Sequence, residues 1–436
     1  MPTEGHFRRK VDGVKMKRML TGNAAASWGA RVSDVDYVCA YPITPQSEIV
    51  ETLSHWVAAG SLKARFVNFD SEHSMLAAAG AASLTGARVF TSSSSQGLVY
   101  GLENLYSIAG WRAPLVLVNV SRGMGMPMVL QVEHGDVLAA RDTGFIQLHA
   151  ETCQEVLDLV LMGYRVAEDS RVLLPVIVNM DGFILSFARE SVDVPETRAV
   201  RSFLKHYSRP RPLLGLEGEP VVYAPTTTDG EVYAFYKRQL HESSLKSREV
   251  FLEAAEDFAN IFGRRYGTTE EFMTNDADTV IVTTNSYSSN IRAAVRQLRG
   301  TGEKVGMLKL TMLRPFPRRE VAAALRHAER VAVFEQNLAP GRGAIIHPEV
   351  VEALYHSTEK PKVVASFVGG IGGMPVGTGE VRAMLRKCKE LESGGDPGRP
   401  TLLYSMASWA KMKKYLDVAG VHAEDTQENV TVGPKH

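Results

Sequence analysis

The first 190 residues alternate between two kinds of segment. Short runs, "DYVCAY", "ARFVNF", "RVFTS", "PLVLVNV", "FIQLHA" and "VLLPVIVNM", hold apolar or β-branched side chains at consecutive positions rather than every second one. Such runs read as strands buried on both faces. Between them lie helix-length stretches, "NAAASWGAR", "PQSEIVETLSHWVAAG", "SEHSMLAAAGAASLTG", "GLVYGLENLYSIAGW" and "TCQEVLDLVLMGYRVAED". Strand–helix alternation of this kind predicts a parallel sheet covered on both sides, with ligands bound beyond the carboxyl ends of its strands.

The pattern divides the chain. Residues 1–14 are a basic N-terminal extension, and 15–190 form the first α/β domain. Residues 191–275 break the alternation. A Pro- and Gly-rich extended connection comes first, and "HESSLKSREVFLEAAEDFANIFGRRYG" then reads as one long amphipathic helix. Over 276–392 the alternation resumes with "TVIVTT", "VGMLKL", "VAVFE" and "KVVASFV" as strands of a second, smaller α/β domain. Residues 393–436 read as a tail after the break "ESGGDPGRP", with one short helix around "LYSMASWAKMKKYLD".

Composition narrows the function classes. Of 436 residues, 44% are hydrophobic and 22% charged, and 49 Lys and Arg balance 49 Asp and Glu. No electrostatic field for nucleic acid or a membrane surface is expected from that balance. No apolar run reaches the length of a spanning helix, and the basic N-terminus lacks the apolar core of a secretory signal. Cys39, Cys153 and Cys388 stand too far apart for a disulfide framework or a cluster motif, which is the pattern of a cytoplasmic protein with buried thiols.

Six stretches carry candidate chemistry. In "YVCAYPITPQSEIVE", Pro42 and Pro45 enclose Ile43 and Thr44 where a strand ends. Each proline holds the residue before it extended, so Tyr41 and Thr44 stay out of the helical region, and Pro45 is suited to open the next helix. In "FDSEHSMLAAAGAAS", Ser71 caps a helix and Glu72 falls in its first turn. A carboxylate there is either a helix-dipole partner or a functional acid on a helix whose Ala and Gly allow close packing. "TSSSSQGL", with Ser95 and Gln96, is either a polar turn or a set of donors facing a ligand. Arg122 follows the strand "LVLVNV", placed either for a salt bridge or to clamp a carboxylate with both arms of its fork. Beyond it lie Gly123, Gly125, Met124, Met126 and Met128. In "EHGD", His134 and Asp136 lack a second pair of metal ligands at helical spacing. "VGGIGGMPVGTGE" reads first as a tight strand-to-helix turn at an interface. A dehydrogenase binding a nucleotide there is the rival reading, weak without a ribose-binding acid downstream.

The ordered set "YPITPQSE", "SEHSMLAAAGAA", "TSSSSQGL", "LENLYSIAGWRAPLVLVNVSR", "DTGFIQLHAETCQEVLDLV" and "LLPVIVNMDGF" resembles the α chain of 2-oxoacid:ferredoxin oxidoreductases of the pyruvate:ferredoxin oxidoreductase type, over residues 15–392. The resemblance implies a thiamine-diphosphate-binding fold, its pyrimidine-binding domain followed by a transketolase-C-terminal-like α/β domain. It implies oxidative decarboxylation of a 2-oxoacid to acyl-coenzyme A. Thiamine diphosphate would be shared with a β subunit that holds its Mg²⁺. Iron–sulfur clusters would sit on partner subunits only, in a complex with β, γ and δ-type chains that passes electrons to ferredoxin or NAD. By the same resemblance, Glu72 bonds N1′ of the pyrimidine, Arg122 and Thr44 hold the substrate, and Pro42, Ile43, Ser95 and Gln96 contact the cofactor. The small residues after Arg122 depart from the family pattern and favour a branched or aromatic 2-oxoacid such as phenylglyoxylate, with pyruvate as the alternative. A non-catalytic structural subunit of such a complex is the other rival, disfavoured by the intact set of Thr44, Glu72 and Arg122.

Overall fold

The computed structural model describes residues 16–125, 127–205, 207, 226–404 and 406–418. The expected N-terminal extension, Met126, most of the extended connection and the last stretch of the tail lie outside the described residues.

The first domain opens with β1 (Met16–Thr21) and α1 (Gly22–Val32), capped by the Thr21 hydroxyl on Ala24 N. Then follow β2 (Tyr37–Ala40), α2 (Ser47–Ala58), β3 (Arg65–Asn68), α3 (Glu72–Leu84), β4 (Val89–Ser93) and the helix pair α4 (Ser95–Tyr100) and α5 (Leu102–Gly110). The domain continues through β5 (Val116–Ser121), α6 (Gly135–Ala139), β6 (Ile146–His149), α7 (Cys153–Ala167), β7 (Val176–Asp181), β8 (Arg189–Val194) and α8 (Thr197–Leu204). The connecting helix is α9 (Gly230–Phe262). The second domain holds β9 (Thr269–Phe272), β10 (Thr279–Thr284), α10 (Tyr287–Arg299), β11 (Val305–Leu310), β12 (Met312–Arg314) and α11 (Arg318–Leu325). It ends with β13 (Arg330–Glu335), α12 (Ile346–Leu354), β14 (Val363–Val368), α13 (Thr378–Leu391), β15 (Thr401–Leu402) and α14 (Met406–Val418).

The large sheet runs β12-β6-β7-β5-β4-β2-β3. All its pairings are parallel except β12 on β6. Every residue of β5 and β7 is buried, as their unbroken apolar runs require. α7 packs so closely on α1 that a Cβ on Gly29 would stand 2.9 Å from Val160 Cβ. Burial takes Asp158 with it, and that carboxylate is satisfied by Arg264 (2.5 and 2.8 Å), Tyr266 (2.6 Å) and Gln154 (3.1 Å). α9 begins eleven residues earlier than the amphipathic pattern at His241 suggests, because Asp229 caps its first N–H groups at 2.8 and 3.3 Å. It ends at Gly263 in the left-handed region (φ 76°).

The second sheet runs β15-β14-β13-β10-β11-β9. The segment expected to be a tail therefore supplies an edge strand, β15, parallel to β14. β12 leaves its own domain and extends the first sheet, binding the two domains together. A second tie is ionic. Lys309, 1% exposed on β11, lies 2.9 Å from Glu151, 2.6 Å from Glu155 and 3.1 Å from Glu270, and Arg292 reaches Glu151 at 2.9 Å. Two of those carboxylates belong to the first domain, and the ammonium to the second. No described helix is long and apolar enough to cross a membrane.

Candidate functional site

Four neighbouring parallel strands, in the order β5-β4-β2-β3, bring the candidate residues to one edge of the large sheet. The Pro42–Pro45 corner follows β2, Glu72 follows β3, Ser95 and Gln96 follow β4, and Arg122 follows β5. The alternation of the sequence places them there, because each helix crosses over and returns the chain to the same end of the sheet.

The corner differs from expectation in one respect. Pro45 does not open α2; the helix starts at Ser47 with Gln46 as its cap residue. Pro45 is buried instead, after a cis peptide with Thr44. Its carbonyl accepts from Asn23 Nδ2 at 2.8 Å, and its ring lies 3.1 Å from where a Cβ on Gly182 would be. That same Cβ would meet Ser121 O at 2.6 Å. The corner is thus pinned beside the residue that precedes Arg122. Gln46 adds a second pin, donating to Tyr41 O (2.7 Å) and accepting from Ser92 (3.2 Å). Pro42 and Thr44 are left exposed, with Ile43 half-buried between them.

Glu72 is the first residue of α3, after the Ser71 cap. It is buried at 7% exposure, and its carboxylate accepts no hydrogen bond from a described residue. It lies flat against α4: a Cβ on Gly97 would stand 2.3 Å from Glu72 Oε1. Only glycine leaves room for that carboxylate. Farther along, a Cβ on Gly101 would meet Leu76 Cδ1 at 2.2 Å. The helix-dipole reading accounts for an exposed acid in a first turn; it does not account for one buried and kept free of donors.

The serines after β4 face inward. Ser92 donates to Gln46, Ser94 to Val120 O at 2.7 Å, and Ser95 N to Asp136 Oδ2 at 2.9 Å. Ser95 sits at φ 50°, fully buried, with its hydroxyl 2.6 Å from Gln96 Oε1 and 3.1 Å from Gly123 O. Ser95 therefore shapes the turn, while Gln96 is half-buried and reaches the next strand end. Its Oε1 accepts from Arg122 Nη2 at 3.3 Å.

Arg122 is only 5% exposed, yet Nε and Nη1 have no partner. Burial pulls its pKa down, opposed by the charge of Asp136. Asp136 is the residue the sequence reading undervalued. It was weighed there only as a metal ligand, but it is wholly buried and accepts from four donors. These are Ser121 Oγ (2.7 Å), Val137 N (2.7 Å), Ser95 N (2.9 Å) and Asn119 Nδ2 (3.1 Å). It joins the turn of Ser95 to the end of β5. Little in the local sequence signals this, since apart from Val137 its donors are 15 to 41 residues away.

His134 points elsewhere, to Asp181 at 2.7 Å. Burial would lower its pKa, but the Asp181 carboxylate outweighs it and holds the imidazole above its ordinary value. Asp181 in turn takes Ser286 N (3.2 Å), the Ser286 hydroxyl and Gln336 Nε2 (3.3 Å), all from the second domain. His134 and Asp136 thus serve separate hydrogen-bond sets. Among the described residues the one three-carboxylate cluster is Glu151, Glu155 and Glu270, already filled by the Lys309 ammonium.

Comparison with known proteins identifies the family and the fold. The thiamine-diphosphate-binding domain of pyruvate flavodoxin/ferredoxin oxidoreductases matches residues 29–260, and core domain II of pyruvate:ferredoxin oxidoreductase matches 277–381. Pyruvate synthase subunit PorA of Methanothermobacter thermautotrophicus is 36% identical over 375 residues, covering 86% of this chain and 96% of that protein. Ketoisovalerate oxidoreductase subunit VorA of Pyrococcus abyssi is 34% identical over 400 residues, covering 91% and 99%. A solved 2-oxoglutarate:ferredoxin oxidoreductase from Magnetococcus marinus shares the fold at a TM-score of 0.64 and 19% identity, over 86% of this chain and 65% of that one.

Proposed function

The chain belongs to the pyruvate:ferredoxin oxidoreductase family as the α subunit of a 2-oxoacid:ferredoxin oxidoreductase, and we propose that its sheet edge binds a 2-oxoacid through Arg122 against the pyrimidine side of thiamine diphosphate. The observation that carries this reading is the guanidinium of Arg122, buried with two nitrogen donors unused. A buried donor without a partner is costly, and an incoming carboxylate removes that cost with two charge-assisted bonds. Gln96 holds the third nitrogen and so fixes the direction of the fork.

The remaining residues fit the cofactor. Glu72 offers an unpaired carboxylate over Gly97, a surface that any Cβ would fill, and it is suited to hold a proton at N1′ of an aminopyrimidine. Pro42 and Ile43 line the corner, and the Thr44 hydroxyl is free to meet the substrate carboxylate. Thiamine diphosphate, when bound, supplies the nucleophile for the 2-oxo carbon and the electron sink for decarboxylation. This chain binds and orients the acid, keeps Glu72 in place and excludes water from Arg122.

In our reading Mg²⁺ and the diphosphate lie on a β subunit. Iron–sulfur clusters lie on partner chains of the β, γ and δ type, coenzyme A takes the acyl group, and ferredoxin or NAD takes the electrons. The substrate is a 2-oxoacid with a branched or aromatic side chain, such as phenylglyoxylate. Supporting this, the loop after Arg122 combines Gly123 and Gly125 with Met124, Met128 and Leu130, and Met128 and Leu130 stay exposed. The names of the relatives favour a second reading: PorA is a pyruvate synthase subunit. The test is coenzyme-A-dependent acceptor reduction by the native complex with pyruvate, 2-oxoisovalerate, oxalate and phenylglyoxylate. The highest kcat/KM with phenylglyoxylate or 2-oxoisovalerate supports the first reading, the highest with pyruvate the second, and no activity with any of the four refutes both.

A further inference from the structure

We propose that the glycine turn of the second domain is the seat that positions the substrate arginine, with Gly373, Gln131 and Tyr287 as positioning residues. The proposal rests on Arg122 being the carboxylate clamp and goes beyond it, because it gives the second domain a part in substrate binding.

The path is short. Gly123, next to Arg122, donates its N–H to Gln131 O at 3.1 Å and so closes the neck of loop 123–131. The loop folds back tightly there, since a Cβ on Gly123 would stand 2.3 Å from Val129 Cγ1. The far side of the neck is held by the other domain. Val132 is wholly buried in the second-domain core with Ile281, Tyr287 and Phe334, and its carbonyl accepts from Gly372 N at 2.9 Å. His134 N donates to Gln336 O at 3.0 Å. Gln131 lies directly on Gly373, where a Cβ would meet Oε1 at 2.8 Å and Cδ at 3.1 Å. The turn is held from below by the Tyr287 hydroxyl, which lies 2.7 Å from Met374 O and 3.3 Å from Gly370 O.

Two features distinguish a seat from an ordinary interface. Gly373 (φ 76°) combines left-handed backbone with contact to Gln131, whereas its neighbour Gly372 (φ 67°) has the same backbone and nothing within 4 Å of its Cβ position. And the residue touched, Gln131, is the one whose carbonyl fixes Gly123. The tip of the Gln131 side chain can swing aside, but Cδ at 3.1 Å and Cγ at 3.3 Å stand between that Cβ position and the Gln131 backbone, so a methyl at 373 bears on the residue that fixes Gly123. An ångström-scale misplacement of a binding group costs up to about a hundredfold.

The experiment uses the assembled complex and steady-state kinetics with its 2-oxoacid. Gly373→Ala is expected to raise KM about tenfold or more with kcat within about twofold, the split of a group that binds ground and transition states alike. Gly341→Ala, at a second-domain position with comparable left-handed backbone (φ 74°) and nothing within 4 Å of its Cβ position, adds the strain without the contact, and it is expected to move KM no more than about twofold. Adding Gln131→Ala to Gly373→Ala removes the clash and is expected to restore most of the KM; strain alone would not be rescued. Should Gly373→Ala fail to assemble, Tyr287→Phe removes only the hydroxyl under the turn and carries the same prediction of raised KM at unchanged kcat. Equal KM values for the two glycine variants, no rescue, or an unmoved KM in Tyr287→Phe overturn the proposal. Arg122→Ala runs beside them: if it leaves kcat/KM unchanged, the clamp reading itself fails, whereas a large loss there with no effect at Gly373 or Tyr287 refutes the seat alone.

Discussion

Replacing Arg122 by methionine separates a binding arginine from a structural one. The side chain is 5% exposed, and two of its three nitrogens meet no partner. Methionine keeps much of the length and fills the same channel without a charge. Each charge-assisted hydrogen bond to a carboxylate contributes about 1.5–3 kcal/mol, so two should contribute about 3–5 kcal/mol once partial overlap is allowed for. At about 1.4 kcal/mol per factor of ten, kcat/KM should fall by about 10² to 10³ or more. Arg122→Lys keeps a charge but not the fork, and should recover only part of the loss. Folding stability should move the other way. Removing a buried, half-satisfied cation relieves its desolvation, and Asp136 keeps four donors of its own. The unfolding midpoint of Arg122→Met should be unchanged or raised by about 1–3 °C. The assay is steady-state turnover of the purified complex alongside a thermal melt. A kcat/KM within threefold of wild type, or a midpoint several degrees lower, would show that Arg122 serves the fold rather than the substrate.

Glu72→Gln keeps the shape that lies against Gly97 but cannot take up a proton. Turnover should drop by about 10² to 10⁴ with the melt unchanged, and near-normal turnover would remove Glu72 from the chemistry. Glu133 gives a pH test. Burial, then the nearby charge of Asp136, push its carboxyl up to about 7. The folded state thus holds a proton that the unfolded chain releases near 4.5, so stability falls as pH rises between those values. Glu133→Gln should remove that slope, gaining up to about 3 kcal/mol over wild type above pH 7 and nothing below pH 4. Chemical denaturation at pH 4, 6 and 8 reads it out, and parallel losses in both proteins would refute the shift.

What the sequence made legible follows from which contacts are local. The inner strands β2, β4, β5 and β7 lie in largely apolar runs between caps and turns, and a parallel sheet buried on both faces demands that pattern. The edge carrying Thr44, Glu72, Gln96 and Arg122 followed, because strand ends are where such sheets place polar residues. The strand Met312–Arg314 did not, since three residues crossing from one domain to edge the sheet of another leave no periodicity to read. β1 and β8 were missed for a related reason: as a two-stranded ribbon, β1 is mostly exposed and shows no alternation. Pro45 misled because its ring is suited to a first helical turn, yet the pocket made by Asn23, Ser121 and Gly182 holds it two residues before the helix. Asp136 reads in the sequence only as a metal-ligand candidate and not as a keystone, because its four donors come from three separate stretches of chain. The glycine turn at 369–373 read as an interface turn, and it does pack on Gln131 and Val132 of the other domain.

The distribution of satisfaction around the site is itself an argument. Asp136, Asp158 and Asp181 are buried carboxylates, and each accepts from several donors or a cation. Lys309 is a buried ammonium, and three carboxylates surround it. The fold is therefore able to pair its buried charges, and does so on both sides of the domain boundary. Against that background Arg122 stands out. Around it the Ser95 hydroxyl is turned to Gly123 O and Gln96 Oε1, and the Ser121 hydroxyl to Asp136 and Asn179. A buried donor left without a partner costs about 1–3 kcal/mol. Leaving two donors unused while Asp136 beside them is fully satisfied costs stability at one point, and that cost is recovered only when something anionic arrives. The same holds for Glu72, the buried acid at this edge that no described donor satisfies. A cation with two unused donors after β5 and an unpaired carboxylate after β3, with Gln96 and Gly97 after β4 between them, define a ligand with an acid at one end and a proton-sharing nitrogen near the other. A 2-oxoacid lying against an aminopyrimidine meets that description.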